Sequence, residues 1–242
     1  MSDSPLETLK GFIKRIPAIG PALAYARNQS RIKNPQSPKP PPAFVGSGPY
    51  WESRYRTGGD SGTGSTGRLA EFKAEIINEF IVKEEISSVI EFGCGDGRQL
   101  QLARYPNYLG VDVSETVVEQ CQMRFAENPD FQFMTLNQYA GEKADVALSL
   151  DVIFHLIEEQ VFDSYMTTLF SAGARFVIVY SSNYESASSE HAPHFRSREF
   201  TVWVAAHHPE WQLIRHIPNR YPFNGDGQET SVSDFFIFMK GL

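Results

Sequence analysis

The chemistry this chain can do concentrates where an apolar run meets glycine. Val89-Ile90-Glu91-Phe92 runs into Gly93-Cys94-Gly95-Asp96-Gly97. The pattern reads as a buried parallel strand turning sharply into a helix, with no side chain between backbone and ligand. A second apolar run, Tyr108 to Val111, ends on Asp112, where a strand-end carboxylate can accept hydrogen bonds from both hydroxyls of a ribose. Together these positions suit an adenosine-containing ligand. The dinucleotide fingerprint is Gly-x-Gly-x-x-Gly, and here the third glycine comes one residue early. No Gly-Lys-Ser/Thr follows, so a phosphate-cradling P-loop is unsupported as well.

A second polar group lies further along. Ser149-Leu150-Asp151-Val152-Ile153-Phe154-His155 closes the fourth apolar run and puts Asp151 at the carboxyl edge of the expected sheet. Asp151 can orient a cofactor or an acceptor there. His155 can take a proton near neutral pH, or simply hold a hydrogen bond at a helix start. Beyond the fifth run come Tyr180-Ser181-Ser182-Asn183-Tyr184, then His191, His194, Arg196 and Arg198; such arginines can clamp a carboxylate or phosphate bidentately. His191 and His194 have no third ligand nearby in the sequence, so no metal is expected. Cys94 and Cys121 read as small buried thiols in a reducing compartment, not as a disulfide framework.

With Glu91 before it and Asp112 after it, the Gly-x-Gly-x-Gly turn resembles the first motif of the class I S-adenosylmethionine-dependent methyltransferases. The resemblance implies S-adenosyl-L-methionine as cofactor. Gly93, Gly95 and Gly97 would then give backbone access to its methionine moiety, with Glu91 meeting the ammonium directly or through water. Asp112 would bind the ribose, and Asn137, just past the third strand, the adenine edge. Methyl transfer from a sulfonium needs no protein nucleophile, only near-attack positioning and often a base. His155, His194 and Asp151 are the catalytic candidates. The Asp/Asn-Pro-Pro-Tyr/Phe motif of enzymes that methylate base amines is replaced by Ser149-Leu150-Asp151-Val152, and neither cysteine is placed for cytosine carbon-5 chemistry.

Trp51 to Ile81, Ser149 to Leu156 and His194 to Thr201 are together similar to a little-characterised bacterial methyltransferase group associated with surface-polysaccharide and other biosynthetic clusters. The similarity covers roughly Tyr50 to Lys240. It implies that Tyr55 and the Gly58 to Gly67 loop close over the cofactor, and that His194 and Arg198 face the acceptor. The acceptor expected is a small polar one, a hydroxyl or phosphate-like oxygen of a sugar or glycan precursor. A scaffold subunit without turnover, or a protein or RNA methyltransferase, remain as alternatives.

These side chains need a scaffold to position them. Strands are expected at Ser88 to Phe92, Tyr108 to Val113, Phe131 to Leu136, Val146 to Leu150, Phe176 to Ser181, Trp211 to Ile217 and Asp234 to Met239. Helical stretches fall at about Arg68 to Lys83, Gln99 to Arg104, Glu115 to Ala126, Glu158 to Phe170 and Ser197 to His207. The alternation predicts an α/β fold: a doubly wound, mostly parallel seven-stranded sheet, Rossmann-like as in class I methyltransferases, ending in an antiparallel hairpin.

The 242 residues suit one such domain, over 49–242, preceded by a basic segment and proline-rich linker at 1–48. Residues 1 to 34 carry six Lys or Arg against two acids, while the whole chain has a net charge of -7. The acidic body argues against bulk nucleic acid as substrate. Leu6, Leu9, Ile13 and Ile16 recur at helical spacing beside Lys10, Lys14 and Arg15, which allows a helix resting on anionic lipid or a partner, or equally a solvated tail. With no signal peptide or spanning run evident, a cytoplasmic location is expected.

Overall fold

The computed structural model describes residues 44–186 and 194–241. The basic segment, nearly all of the proline-rich linker and His191 lie outside them.

Seven strands form one sheet: β1 (Val89–Phe92), β2 (Tyr108–Asp112), β3 (Phe131–Thr135), β4 (Ala144–Leu150), β5 (Gly173–Ser181), β6 (Trp211–Ile217) and β7 (Asp234–Lys240). Their order is β3-β2-β1-β4-β5-β7-β6. The first five are parallel, and β7 runs antiparallel between β5 and β6. This is the doubly wound sheet with a final antiparallel hairpin that the alternation predicts. The chain reverses direction of build between β1 and β4, and the crevice at the carboxyl ends of those strands is where such sheets bind ligands.

Helices cover both faces: α1 (Ser47–Arg56), α2 (Gly67–Lys83), α3 (Glu115–Arg124), α4 (Glu159–Ala172) and α5 (Phe200–His207). One face packs Phe72, Ile77, Phe80 and Ile81 of α2 on the sheet. The other packs Phe162, Met166, Leu169 and Phe170 of α4 with Phe200 and Val204 of α5. Because both faces are covered, β1 is buried along its whole length, which is why its sequence is a continuous apolar run broken only by Glu91.

Three elements differ from expectation. Tyr50 to Tyr55 lies inside α1, whose first residue Ser47 donates from its amide and hydroxyl to the Glu158 carboxylate at 2.9 and 2.5 Å. A carboxylate at a helix N-terminus satisfies free amides and complements the dipole, and this partner is 111 residues away. Gln99 to Leu102 forms only a 3₁₀ turn before the chain becomes extended at Ala103. The last helix starts at Phe200, because Ser197 and Arg198 hold the preceding segment by hydrogen bonds to Ser182 and to the Leu156 and Ile157 carbonyls.

Candidate active site

The glycine turn after β1 is clasped from three sides. The Gly93 amide donates to the Val111 carbonyl at 2.7 Å, and the Gly95 amide to Asp112 Oδ2 at 3.0 Å. Ser61, on the loop before α2, pairs reciprocally with Asp96: its amide donates to Oδ2 at 3.2 Å, and its hydroxyl accepts from the Asp96 amide at 2.9 Å. Tyr55 Oη lies 3.1 Å from the same Ser61 hydroxyl. A side chain at Gly95 would collide with Ser61 and press on Tyr55. Gly97 has a different task. A Cβ there would sit 2.6 Å from the Phe125 ring and 3.2 Å from Cys121 Sγ, so this glycine lets α3 pack on the turn and does not open on a ligand.

Behind the turn is a cavity of about 680 Å³, lined among others by Tyr55, Glu91, Gly93, Gly95, Asp112, Asp151 and His155. Seven of the residues expected at a site are therefore brought together. His194 lies in an adjoining cavity of about 100 Å³. Asn137 is exposed, and the neighbouring Leu136 and Tyr139 reach the large cavity in its place.

Each acid is held for a reason. Asp112 accepts from the Gly95 and Ser114 amides, at 3.0 Å each, and burial raises its pKa. An ionised carboxylate offers about four lone-pair sites, so it retains capacity for a diol. Glu91 accepts from the Tyr108 hydroxyl at 2.7 Å; burial outweighs that bond and pushes its carboxyl up to about 7. Asp151 is one of two non-glycine residues among those described with positive φ, at 60°, a conformation that persists only when neighbours enforce it. Lys73 Nζ at 2.8 Å, the Ser233 hydroxyl at 2.8 Å and its own amide on the Tyr180 carbonyl do so.

His155 is packed among rings: Trp51 edge-on at 5.0 Å, Phe154 at 4.6 Å and His194 at 5.7 Å between centroids. Its Nδ1 lies 2.8 Å from the His194 carbonyl oxygen. A carbonyl only accepts, so Nδ1 carries the hydrogen and Nε2 the lone pair. Burial lowers its pKa to about 3, which removes it as a strong base at neutral pH. The His194 ring stacks on Tyr50 at 5.1 Å, and burial lowers its pKa as well.

The arginines expected to face an acceptor are otherwise engaged. Arg198 donates to the Leu156 and Ile157 carbonyls at 2.7 and 3.0 Å and lies over the Phe162 ring. Arg196 reaches the Ile157 carbonyl and Glu159. Both lock the segment before α5 to the start of α4.

Sequence reasoning missed Lys73, Ser61, Glu52 and Tyr165. Glu52 accepts from the Ser114 and Thr116 hydroxyls at 2.6 Å each, tying α1 to the start of α3. The Tyr165 hydroxyl donates to the Phe92 carbonyl at 2.9 Å beside the cavity. Lys73 did leave a signal, as a lysine on the apolar stripe of α2.

These residues fit an adenosyl cofactor: a side-chain-free turn, a strand-end acid with spare acceptor capacity, a largely apolar shelf at Val113, Leu136 and Tyr139, and a buried acid for an ammonium. No cluster of metal-ligating side chains occurs among the described residues, and no described helix is long and apolar enough to cross a membrane.

Known proteins resemble this chain in sequence and fold. Residues 90–178 match the methyltransferase-domain family. The chain is similar to EEF1A lysine methyltransferase 4 of Mus musculus, with 27% identity over 176 residues, covering 62% of this chain and 64% of the relative. It thus spans just under two thirds of that relative's length. Among solved structures it resembles magnesium protoporphyrin IX methyltransferase from Synechocystis PCC 6803 with bound SAM, at TM-score 0.59 and 18% identity over 82% of this chain and 99% of that one. It also resembles the N-methyltransferase NodS from Bradyrhizobium japonicum WM9 in complex with S-adenosyl-L-homocysteine, at TM-score 0.63 and 12% identity over 81% and 98%. At such identities the structural likeness is one of fold.

Proposed function

We propose that this chain, an S-adenosylmethionine-dependent methyltransferase, methylates a small, uncharged polar acceptor that enters beside Asp151. When bound, the cofactor supplies a methyl group already activated on sulfonium. The protein therefore contributes positioning, water exclusion and a hydrogen-bond partner for the acceptor.

The observation that carries this reading is a shared wall. Trp51, Ser61, Asp151 and His155 line both the cavity behind the glycine turn and the smaller one that holds Tyr50, His194, Ser231 and Ser233. An acceptor in the small cavity would meet aromatic faces on one side, and hydroxyls and a carboxylate on the other. A hydroxyl-bearing, sugar-like group suits that lining. Asp151 and the Nε2 lone pair of His155 are the acceptors available to an incoming O–H. An anionic acceptor is disfavoured, since Arg196 and Arg198 are committed to backbone carbonyls and Glu159, and Arg54 to Asp60. The phosphate-like acceptor is therefore set aside.

A second reading is methylation of an amine, as in a lysine side chain. It is supported by the similarity to a lysine methyltransferase and by the aromatic walls next to the Asp151 carboxylate. Incubation with methyl-labelled cofactor and separate pools of neutral glycans, nucleotide-sugars and proteins discriminates the two. Label in a base-stable ether of the glycan pool supports the first reading, and label recovered as methyl-lysine replaces it with the second.

A further inference from the structure

We infer that Lys73 is a cofactor-binding residue: its buried ammonium takes the carboxylate at the amino-acid end of the cofactor, across the cavity from Glu91, which takes the ammonium. The inference rests on the cofactor reading above and assigns a residue to an end of the ligand that neither the glycine turn nor Asp112 serves.

Lys73 lies in the middle of α2, among Leu69, Phe72, Ile77 and Phe80, and is 1% exposed. A lysine so placed carries a large desolvation cost, and replacing such a buried pair by apolar side chains is often neutral or stabilising. Packing alone does not call for a charge at this position. Among the described residues that line the large cavity Lys73 is the one Lys or Arg, and Glu91 lines the same cavity. The two opposite charges match the two ends of a zwitterion, and they lie near enough for the Lys73 charge to oppose the rise in the Glu91 pKa.

The valence of the ammonium points the same way. It has three N–H donors. One meets Asp151 Oδ2 at 2.8 Å, and the Tyr180 ring centroid lies 5.3 Å away. No further hydrogen-bond acceptor engages it among the described residues, so donors remain for a ligand. The loop before α2 closes over the pair. A Cβ on Gly64 would stand 2.9 Å from Asp151 Oδ2 and 3.9 Å from Lys73 Nζ. Backbone that close keeps bulk water away and raises the value of each charge contact.

The test is calorimetry of three probes against the full chain: S-adenosyl-L-homocysteine, its decarboxylated analogue, which keeps the amine, and 5′-methylthioadenosine, which lacks the whole amino-acid end. The wild-type protein should bind the decarboxylated analogue about tenfold or more weakly than S-adenosyl-L-homocysteine, the scale of a charge-assisted hydrogen bond. Lys73→Gln should lose that discrimination, with the decarboxylated analogue nearly unchanged, and Lys73→Arg should restore much of it. Thermal unfolding of each variant reports its fold independently. Equal wild-type affinity for the first two probes overturns the inference even if no variant folds, and so does an equal loss for both in a folded Lys73→Gln protein. Wild-type protein that binds 5′-methylthioadenosine yet gains nothing from the amino-acid end keeps the adenosyl reading and sinks the role of Lys73. Binding of none of the three sinks both.

Discussion

Asp112 Oδ2 accepts a hydrogen bond from the Gly95 amide at 3.0 Å, so the carboxylate that ends β2 also holds the glycine turn that follows β1. Its other oxygen takes the Ser114 amide. Truncation to alanine would orphan two buried amides and confound folding with binding. Asp112→Asn keeps an acceptor for one of the two amides, turns an NH2 group toward the other, and removes the charge. It should fold and bind S-adenosyl-L-methionine more weakly by about 1–3 kcal/mol, the worth of charge-assisted bonds to the ribose. Calorimetry on the folded variant checks this, and an unchanged affinity would take Asp112 out of the ribose site.

Glu91 predicts a proton release. Burial lifts its carboxyl from the ordinary 4.5 to about 7, so the free protein holds much of this proton near neutrality. A ligand ammonium beside it favours the ionised form. Cofactor binding at pH 6.5 should therefore expel a fraction of a proton, seen as a binding enthalpy that varies with the ionisation enthalpy of the buffer. Glu91→Gln should abolish that dependence. Stability moves in the matching sense. The folded pKa lies above the unfolded one, so the Glu91 contribution is fully present below pH 4.5 and is lost as pH rises through about 7. Free Glu91→Gln protein should melt higher than wild type at pH 8, and a lower melting point there would contradict the assignment.

The central strands β1, β4 and β5 were legible because burial on both faces writes near-continuous apolar runs, and the glycine turn because close packing admits no Cβ at Gly95 or Gly97. What stayed hidden was set by distant partners. Ser61 sits in a glycine-serine stretch that reads as a loop, and its meaning comes from Asp96, 35 residues away. Lys73 stands out in the sequence only as a lysine on an apolar stripe, and its ion-pair partner, Asp151, lies 78 residues on. Arg198 has the chemistry of an anion clamp, and only the fold shows that the Leu156 and Ile157 carbonyls absorb it. Asn137 misses the cavity because the turn after β3 points Leu136 and Tyr139 inward instead, a choice of side-chain direction that strand spacing does not fix beyond the strand's last residue.

The Lys73–Asp151 pair should respond unequally to losing either partner. Lys73 is 1% exposed and the Asp151 side chain 22%, so an abandoned Asp151 is hydrated more readily than an abandoned Lys73. Asp151→Asn tolerates the positive φ and can keep the bond from Ser233, which isolates the charge. It should destabilise the free protein by about 3 kcal/mol or more, and Lys73→Met by less. The double variant should recover part of the Asp151→Asn loss. Denaturant unfolding of the four proteins measures the cycle, and strictly additive effects would show that the pair is not energetically coupled.

His155 should leave no acid limb in the rate. Burial lowers its pKa from 6.5 to about 3, so the ring stays neutral in the folded protein across the working range, with Nε2 available to accept a hydrogen bond from the acceptor. An unfolded histidine protonates near 6.5, so between about 3 and 6.5 the unfolded chain binds more protons. The stability contribution of His155 is thus present above pH 6.5 and declines as pH falls. His155→Phe keeps a ring between Trp51 and Phe154 and should flatten the acid-side loss of melting temperature between pH 6.5 and 4. In the kcat/KM profile it should lower the plateau by roughly tenfold, the worth of one hydrogen bond to the acceptor, without moving any inflection. A wild-type inflection near 6.5 that disappears in His155→Phe would instead make this histidine the general base.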